Sequence, residues 1–167
     1  EKFYLSGTMI EPNSGHIVHN FGETIDEFKE DELLKTYKQI NFYDHQGSHF
    51  APHLVLKSMW NKVGGFSEEF NPGIGSDPDF NMKLWNIGVR LFKGIGKSRV
   101  YHFSSVSLRS KVWNDGHKTF LLKWGISIKF FRKHYLRSDT IFKDQLSDPV
   151  KNINYYIDLF KCEFKLF

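Results

Sequence analysis

The chain has 167 residues, enough for one domain with a buried core, and 40% hydrophobic with 17% aromatic residues exclude a disordered chain. Lys and Arg total 23 against 19 Asp and Glu, a net charge of +4. That excess is small and scattered, with no basic helix or aromatic-basic motif, which argues against nucleic acid as a partner. A lone cysteine, Cys162, excludes an internal disulfide and fits a reducing compartment, hence an expected cytoplasmic location. No apolar run reaches transmembrane length.

In chain order, "KFYLSGTMIEP" reads as a strand stopped by Pro12 and Asn13, and "NSGH" as a turn. From Thr24, "TIDEFKEDELLKTYKQI" spaces Ile25, Phe28, Leu33, Leu34 and Tyr37 as a helix does, with acids early and lysines late. "PHLVL" is a strand candidate, and residues 57–63 a short helix ended by Gly64 or Gly65. "SEEFNPGIGS" carries the turn residues of a loop. The next helix is expected at 77–87, with Phe80, Leu84 and Ile87 on one face and Gly88 beyond its end. "VRLFKGI" and "RVYHFSSV" read as two strands separated by Gly94 and Gly96. A long helical stretch covers 117–136, and Asp148-Pro149 opens a last helix. Strands alternating with helices point to an α/β layered domain.

The stretch "GSDPDFNMKLW", residues 75–85, has two readings. In the first, Asp77 is an N-cap followed by Pro78 in the first turn. In the second, Asp77 is a general base, fixed in direction at a helix start and kept ionised by the helix dipole. Asp79 points about 200° away from Asp77 on a helix, so it takes a different partner, backbone or a basic group such as Arg90.

Residues 60–103, "WNKVGGFSEEFNPGIGSDPDFNMKLWNIGVRLFKGIGKSRVYHF", resemble the second half of family 2 glycosyltransferases of the GT-A fold. That family has, in order, a Trp or Phe, a Gly-Gly-Phe, an acidic turn, a Glu-Asp-X-Asp motif, an Arg-Leu...Gly stretch and a late strand ending near His. Here Gly64-Gly65-Phe66 and Glu68-Glu69 match, and Ser76-Asp77-Pro78-Asp79 stands in the Glu-Asp-X-Asp place with Ser for Glu. The resemblance implies a partial GT-A-like fold, a mixed sheet flanked by helices over residues 1–110, with a helical extension over 111–167. It implies Asp77 as the base of an inverting transfer, from a nucleotide-diphospho-sugar donor to an acceptor hydroxyl of a glycan or a lipid-linked acceptor. It also implies His102 as a ligand of Mg²⁺ or Mn²⁺ on the donor diphosphate. The other reading of His102 is a strand-end histidine bonded to backbone.

Trp60 and Trp85 are sugar-stacking candidates or core residues, and Gly65 and Asp79 join Trp60 as candidate substrate contacts. His45, His49 and His53 are spaced by four, but Gly47 and Pro52 oppose a continuous helix, which disfavours zinc. His49 and His53 then line the sugar or acceptor cleft or flank a strand. No Asp-X-Asp precedes residue 77, so the chain reads as an acceptor-side piece lacking the donor-binding half. A piece of that kind is expected to be inactive alone. The alternative is a non-catalytic module that binds glycan or protein. The C-terminal helices, basic on one side, pack on the domain, pair with a subunit or make peripheral contact with an anionic membrane.

Overall fold

A computed structural model of the chain describes residues 2–40, 42–47, 50–72, 74–103 and 114–165. The architecture is α/β, a curled mixed sheet flanked by helices. Strand β1 (Phe3–Glu11) lies at its centre. Along one edge β1 pairs in parallel with β2 (Ile17–Val18) and antiparallel with β4 (His53–Val55). Along the other it pairs in parallel with β5 (Leu91–Tyr101), which in turn pairs antiparallel with β3 (His45–Gln46). Helix α1 (Glu30–Thr36) lies outside the core with no buried residue. Helix α2 (Lys57–Val63) follows β4 and ends on Gly64, whose left-handed backbone is the helix stop expected from sequence.

Helix α3 (Ser76–Asn86) runs from Gly75 to a turn that feeds β5. Its buried face carries Phe80, Leu84 and Trp85, which meet Tyr4 of β1 and Phe92 of β5 in one core. Helix α4 (Gly116–Trp124), the short α5 (Ile128–Phe130) with the π-helical turn Phe131–Leu136, and α6 (Ile153–Phe164) close the same core through Phe120, Phe131, Leu136 and Tyr155. A smaller cluster of Ile10, Ile17 and Phe21 sits under the β1–β2 end.

Several boundaries differ from the sequence reading. The helical pattern from Thr24 yields helix only over Glu30–Thr36. The two late strands are one, because the register between β1 and β5 slips at the glycines: Ser6 faces Gly94, and Thr8 faces Arg99. The extra β5 residues bulge, with the Gly96 amide donating to the Asp44 carboxylate at 2.9 Å and Thr8 Oγ1 donating to the Ile95 carbonyl at 2.9 Å. Both glycines are required by close approach. A Cβ on Gly94 would fall 2.0 Å from the His45 ring, and one on Gly96 2.4 Å from the Phe42 carbonyl. The stretch 117–136 breaks at Gly125, which has positive φ. The last helix starts at Ile153, where the Asn152 side chain accepts from the Tyr155 amide, rather than at Asp148-Pro149. The end of the second late strand, Ser104–Val106, lies outside the described residues.

Candidate functional site

The orientation of α3 follows from its two ends. Lys2, just before β1, donates to the Ile87 carbonyl at 2.5 Å, so the C-terminal end of α3 meets the start of β1. Helix α3 therefore runs opposite to the parallel pair β1 and β5, and its N-terminal end points toward their carboxyl ends. Glu11 closes β1 and His102 follows β5 at that same end. In open α/β sheets this is the side where ligands collect. Ten residues of helix rise about 15 Å, whereas nine of strand rise about 30 Å. Asp77 thus reaches roughly halfway along β1, below Glu11 and His102.

Asp77 occupies the second position of α3. Gly75, with φ 109°, is the residue before the helix, and no side chain caps the first turn. The N-cap reading of Asp77 therefore fails: the glycine supplies the turn and the carboxylate is left for other work. Its environment is dominated by burial. The side chain is half-buried, and loss of water pushes its pKa up to about 6 from an ordinary 3.8. The helix dipole was expected to hold this group well ionised, and desolvation outweighs it.

Around Asp77 lie groups that sequence reasoning passed over. Tyr4 is fully buried, and its phenol is held far above the usual range, first by burial and then by the Asp77 charge. Asn81, one turn beyond Asp77, lies against Tyr4, yet neither polar atom of its buried carboxamide makes a hydrogen bond of ordinary geometry. His53 stacks on Tyr4 with ring centroids 5.4 Å apart, its Nδ1 also without a partner, and burial lowers its pKa. The Tyr4 hydroxyl donates to the Phe50 carbonyl at 3.4 Å, which leaves Asn81 and His53 Nδ1 as the buried polar groups here without a partner, with His53 packed against Phe66 and Phe80. Unsatisfied buried polar groups are rare in native proteins and concentrate where function requires them. The available signals were the one-turn spacing of Asp77 and Asn81 and the tyrosine amid the apolar residues of β1.

Asp79 is fully buried and its oxygens are occupied. Oδ2 accepts from Ser67 Oγ at 2.6 Å with Lys83 Nζ at 3.7 Å; Oδ1 accepts from Trp124 Nε1 at 2.9 Å with Lys123 Nζ at 2.9 Å. The expected basic partner is thus Lys83 and Lys123. Arg90 does not reach Asp79; it stacks on Trp85 at 3.9 Å and pairs with Asp148 at 2.9 Å. Lys83 also donates to the Gly65 carbonyl at 2.5 Å, and Lys123 to Glu69 at 2.7 Å. The Gly-Gly-Phe turn, the acidic loop and the second aspartate are therefore joined in one network that fixes the start of α3. Gly65 has φ 65°, and a Cβ there would meet the Trp60 ring at 2.7 Å. Trp60 packs edge-on to Phe66 and against Phe80, and Trp85 is core.

His102 is half-exposed and its Nδ1 contacts the Glu11 carboxylate, whose other oxygen accepts from Ser14 at 2.5 Å. Its amide continues the ladder to the Ile10 carbonyl at 2.9 Å. Nε2 is then the nitrogen left for a ligand. A carboxylate that holds one imidazole nitrogen and orients the other is the usual support for a metal-binding histidine. No group of three His, Cys, Asp or Glu side chains able to hold an ion occurs among the described residues. His45 and His53 lie on β3 and β4 rather than on one helix face, and His49 lies outside the described residues. No helix among the described residues is long and apolar enough to cross a membrane.

Compared with models of known protein families, with curated proteins and with solved structures, the chain gives no match.

Proposed function

We propose that this chain forms the acceptor-side half of an inverting glycosyltransferase of the GT-A type. The observation that carries the reading is Asp77, a carboxylate with no capping duty, poised by burial at about 6 in the first turn of a helix whose N-terminal end points toward the carboxyl ends of β1 and β5. The ordered run from Trp60 to His102 supports it, because its pieces have separate physical work: the Gly-Gly turn and Asp79 brace the helix that carries Asp77.

In this reading Asp77 takes the proton of an acceptor hydroxyl as that oxygen bonds to the anomeric carbon of a nucleotide-activated sugar. The bond from that carbon to the diphosphate oxygen breaks, and the nucleoside diphosphate leaves with its electron pair. Attack opposite the leaving group inverts the anomeric centre. A pKa near 6 suits the task, since the group is ionised at neutral pH yet basic enough to share a proton in the transition state. Tyr4 and Asn81 lie beside Asp77, with His53 stacked on Tyr4. Glu11 holds His102 with Nε2 available to a hard ion, Mg²⁺ or Mn²⁺. Such an ion supplies charge neutralisation to the leaving diphosphate when bound. The donor, a glycan or lipid-linked acceptor, a donor-binding half and a cytoplasmic setting belong to the same proposal.

The second reading, a non-catalytic glycan- or protein-binding module, draws on the commitment of Asp79, Gly65 and Trp60 to internal packing. One experiment separates the two. In the protein that carries this chain, Asp77→Asn is expected to lower turnover of nucleotide-sugar donors by about 10²- to 10⁴-fold with binding retained. Unchanged turnover removes Asp77 as the base, and ligand binding without turnover in the parent protein favours the module.

A further inference from the structure

We infer that the outward face of α6 docks on an anionic phospholipid surface. The inference does not rest on Asp77 or on sugar transfer. Helix α6 has two apolar faces. Tyr155 and Cys162, with Leu159 beside them, turn into the core. Ile153, Tyr156, Ile157, Phe160 and Phe164 are exposed, Phe160 at 66% and Phe164 at 75%. At 100° per residue those five fall within an arc of about 100°, opposite the buried three. A helix facing water is expected to be polar on that side.

Lysines border the stripe. Lys161 and Lys165 lie along one flank, and Lys129 and Lys133 face them across the groove between α6 and the segment from Ser127 to Lys133. Asp158 is the acid within this group. It is bonded to Lys133 at 2.6 Å, Lys161 at 3.1 Å and His134 at 3.1 Å, which leaves the flank net positive. Glu163 sits on the opposite flank.

Area and charge decide the occupant. A helix of 12 residues is about 18 Å long, and a stripe about 10 Å wide covers roughly 200 Å². A stable pairing with a second copy needs about 800 Å² from each partner. Antiparallel pairing of α6 with its copy would also bring lysine flanks together. A bilayer interface imposes no such minimum area: apolar side chains enter it by about 5–10 Å while lysines meet lipid phosphates. The helix lies on the surface, being too short to span it.

The test is co-sedimentation of the whole chain with phosphatidylcholine vesicles, with and without phosphatidylserine. Binding to the anionic vesicles is expected to exceed binding to the neutral ones at least about tenfold and to weaken in high salt. Phe160→Ser with Phe164→Ser, and separately Lys129→Glu with Lys165→Glu, are each expected to lose about tenfold or more while keeping the parent melting temperature. Equal binding to both vesicle types, or an unaffected phenylalanine variant, overturns the proposal. So does a parent dimer in analytical ultracentrifugation that the phenylalanine variant dissolves, which assigns the face to a second copy.

Discussion

At the scale of the residue, ionisation of Asp77 costs stability. Its folded pKa is raised, so the group favours the native state only where it is protonated. That contribution is complete below about pH 4 and disappears as pH rises through about 6. Above pH 6 the ionised, half-buried carboxylate costs on the order of 2 kcal/mol. Asp77→Asn is therefore expected to be more stable than the parent by about that amount at pH 8, with the gain gone at pH 4. Urea unfolding at the two pH values measures this, and a variant less stable at pH 8 would return Asp77 to a structural role. The sequence made Asp77 visible but not its surroundings. Tyr4 and Asn81 are uninformative as letters, and only the packing of α3 on β1 brings them to the carboxylate.

At the scale of the element, the start of α3 is held by charge rather than by a cap. Asp79 ties α3 to the Ser67–Glu69 loop and to Lys123 and Trp124 of α4. Asp79→Ala leaves Lys83 and Lys123 without their shared carboxylate and is expected to cost about 3 kcal/mol, read as a lower urea midpoint with unchanged slope. A loss below about 1 kcal/mol would mean the network is not what positions α3. Elements whose signal is local were legible: α2 with its terminal Gly64, β4, and α3 to within one residue. The β5 strand was not. Gly94 and Gly96 look like turn residues in isolation, but they are there because His45 and the Phe42–Tyr43 backbone press against the strand. Non-local crowding leaves no periodic trace in the sequence. Helix α1 was overextended for the opposite reason: its apolar spacing is helical, yet none of its residues is fully buried and only Leu33 packs, in part, on the smaller cluster, too little to sustain the outer turns.

At the scale of the whole molecule, α4, α5 and α6 are part of the same core as the sheet. Phe120, Phe131, Leu136 and Tyr155 pack with Tyr4, Phe80 and Phe92 in one buried cluster. A division near residue 110, natural from the fading of the sequence resemblance, cuts through that cluster. Residues 1–110 alone are expected to show no cooperative thermal transition, whereas the whole chain unfolds in one. Two separate transitions by calorimetry would contradict a shared core. The same unity places α3 and the carboxyl ends of β1 and β5 on one support, as the proposed role of Asp77 as a base needs. The most direct test of that proposal is the pH–rate profile of sugar transfer. The expected rate rises with pH through a limb near 6 and is lost across the range in Asp77→Asn. A profile with no limb in that region, or one that Asp77→Asn leaves in place, would contradict it.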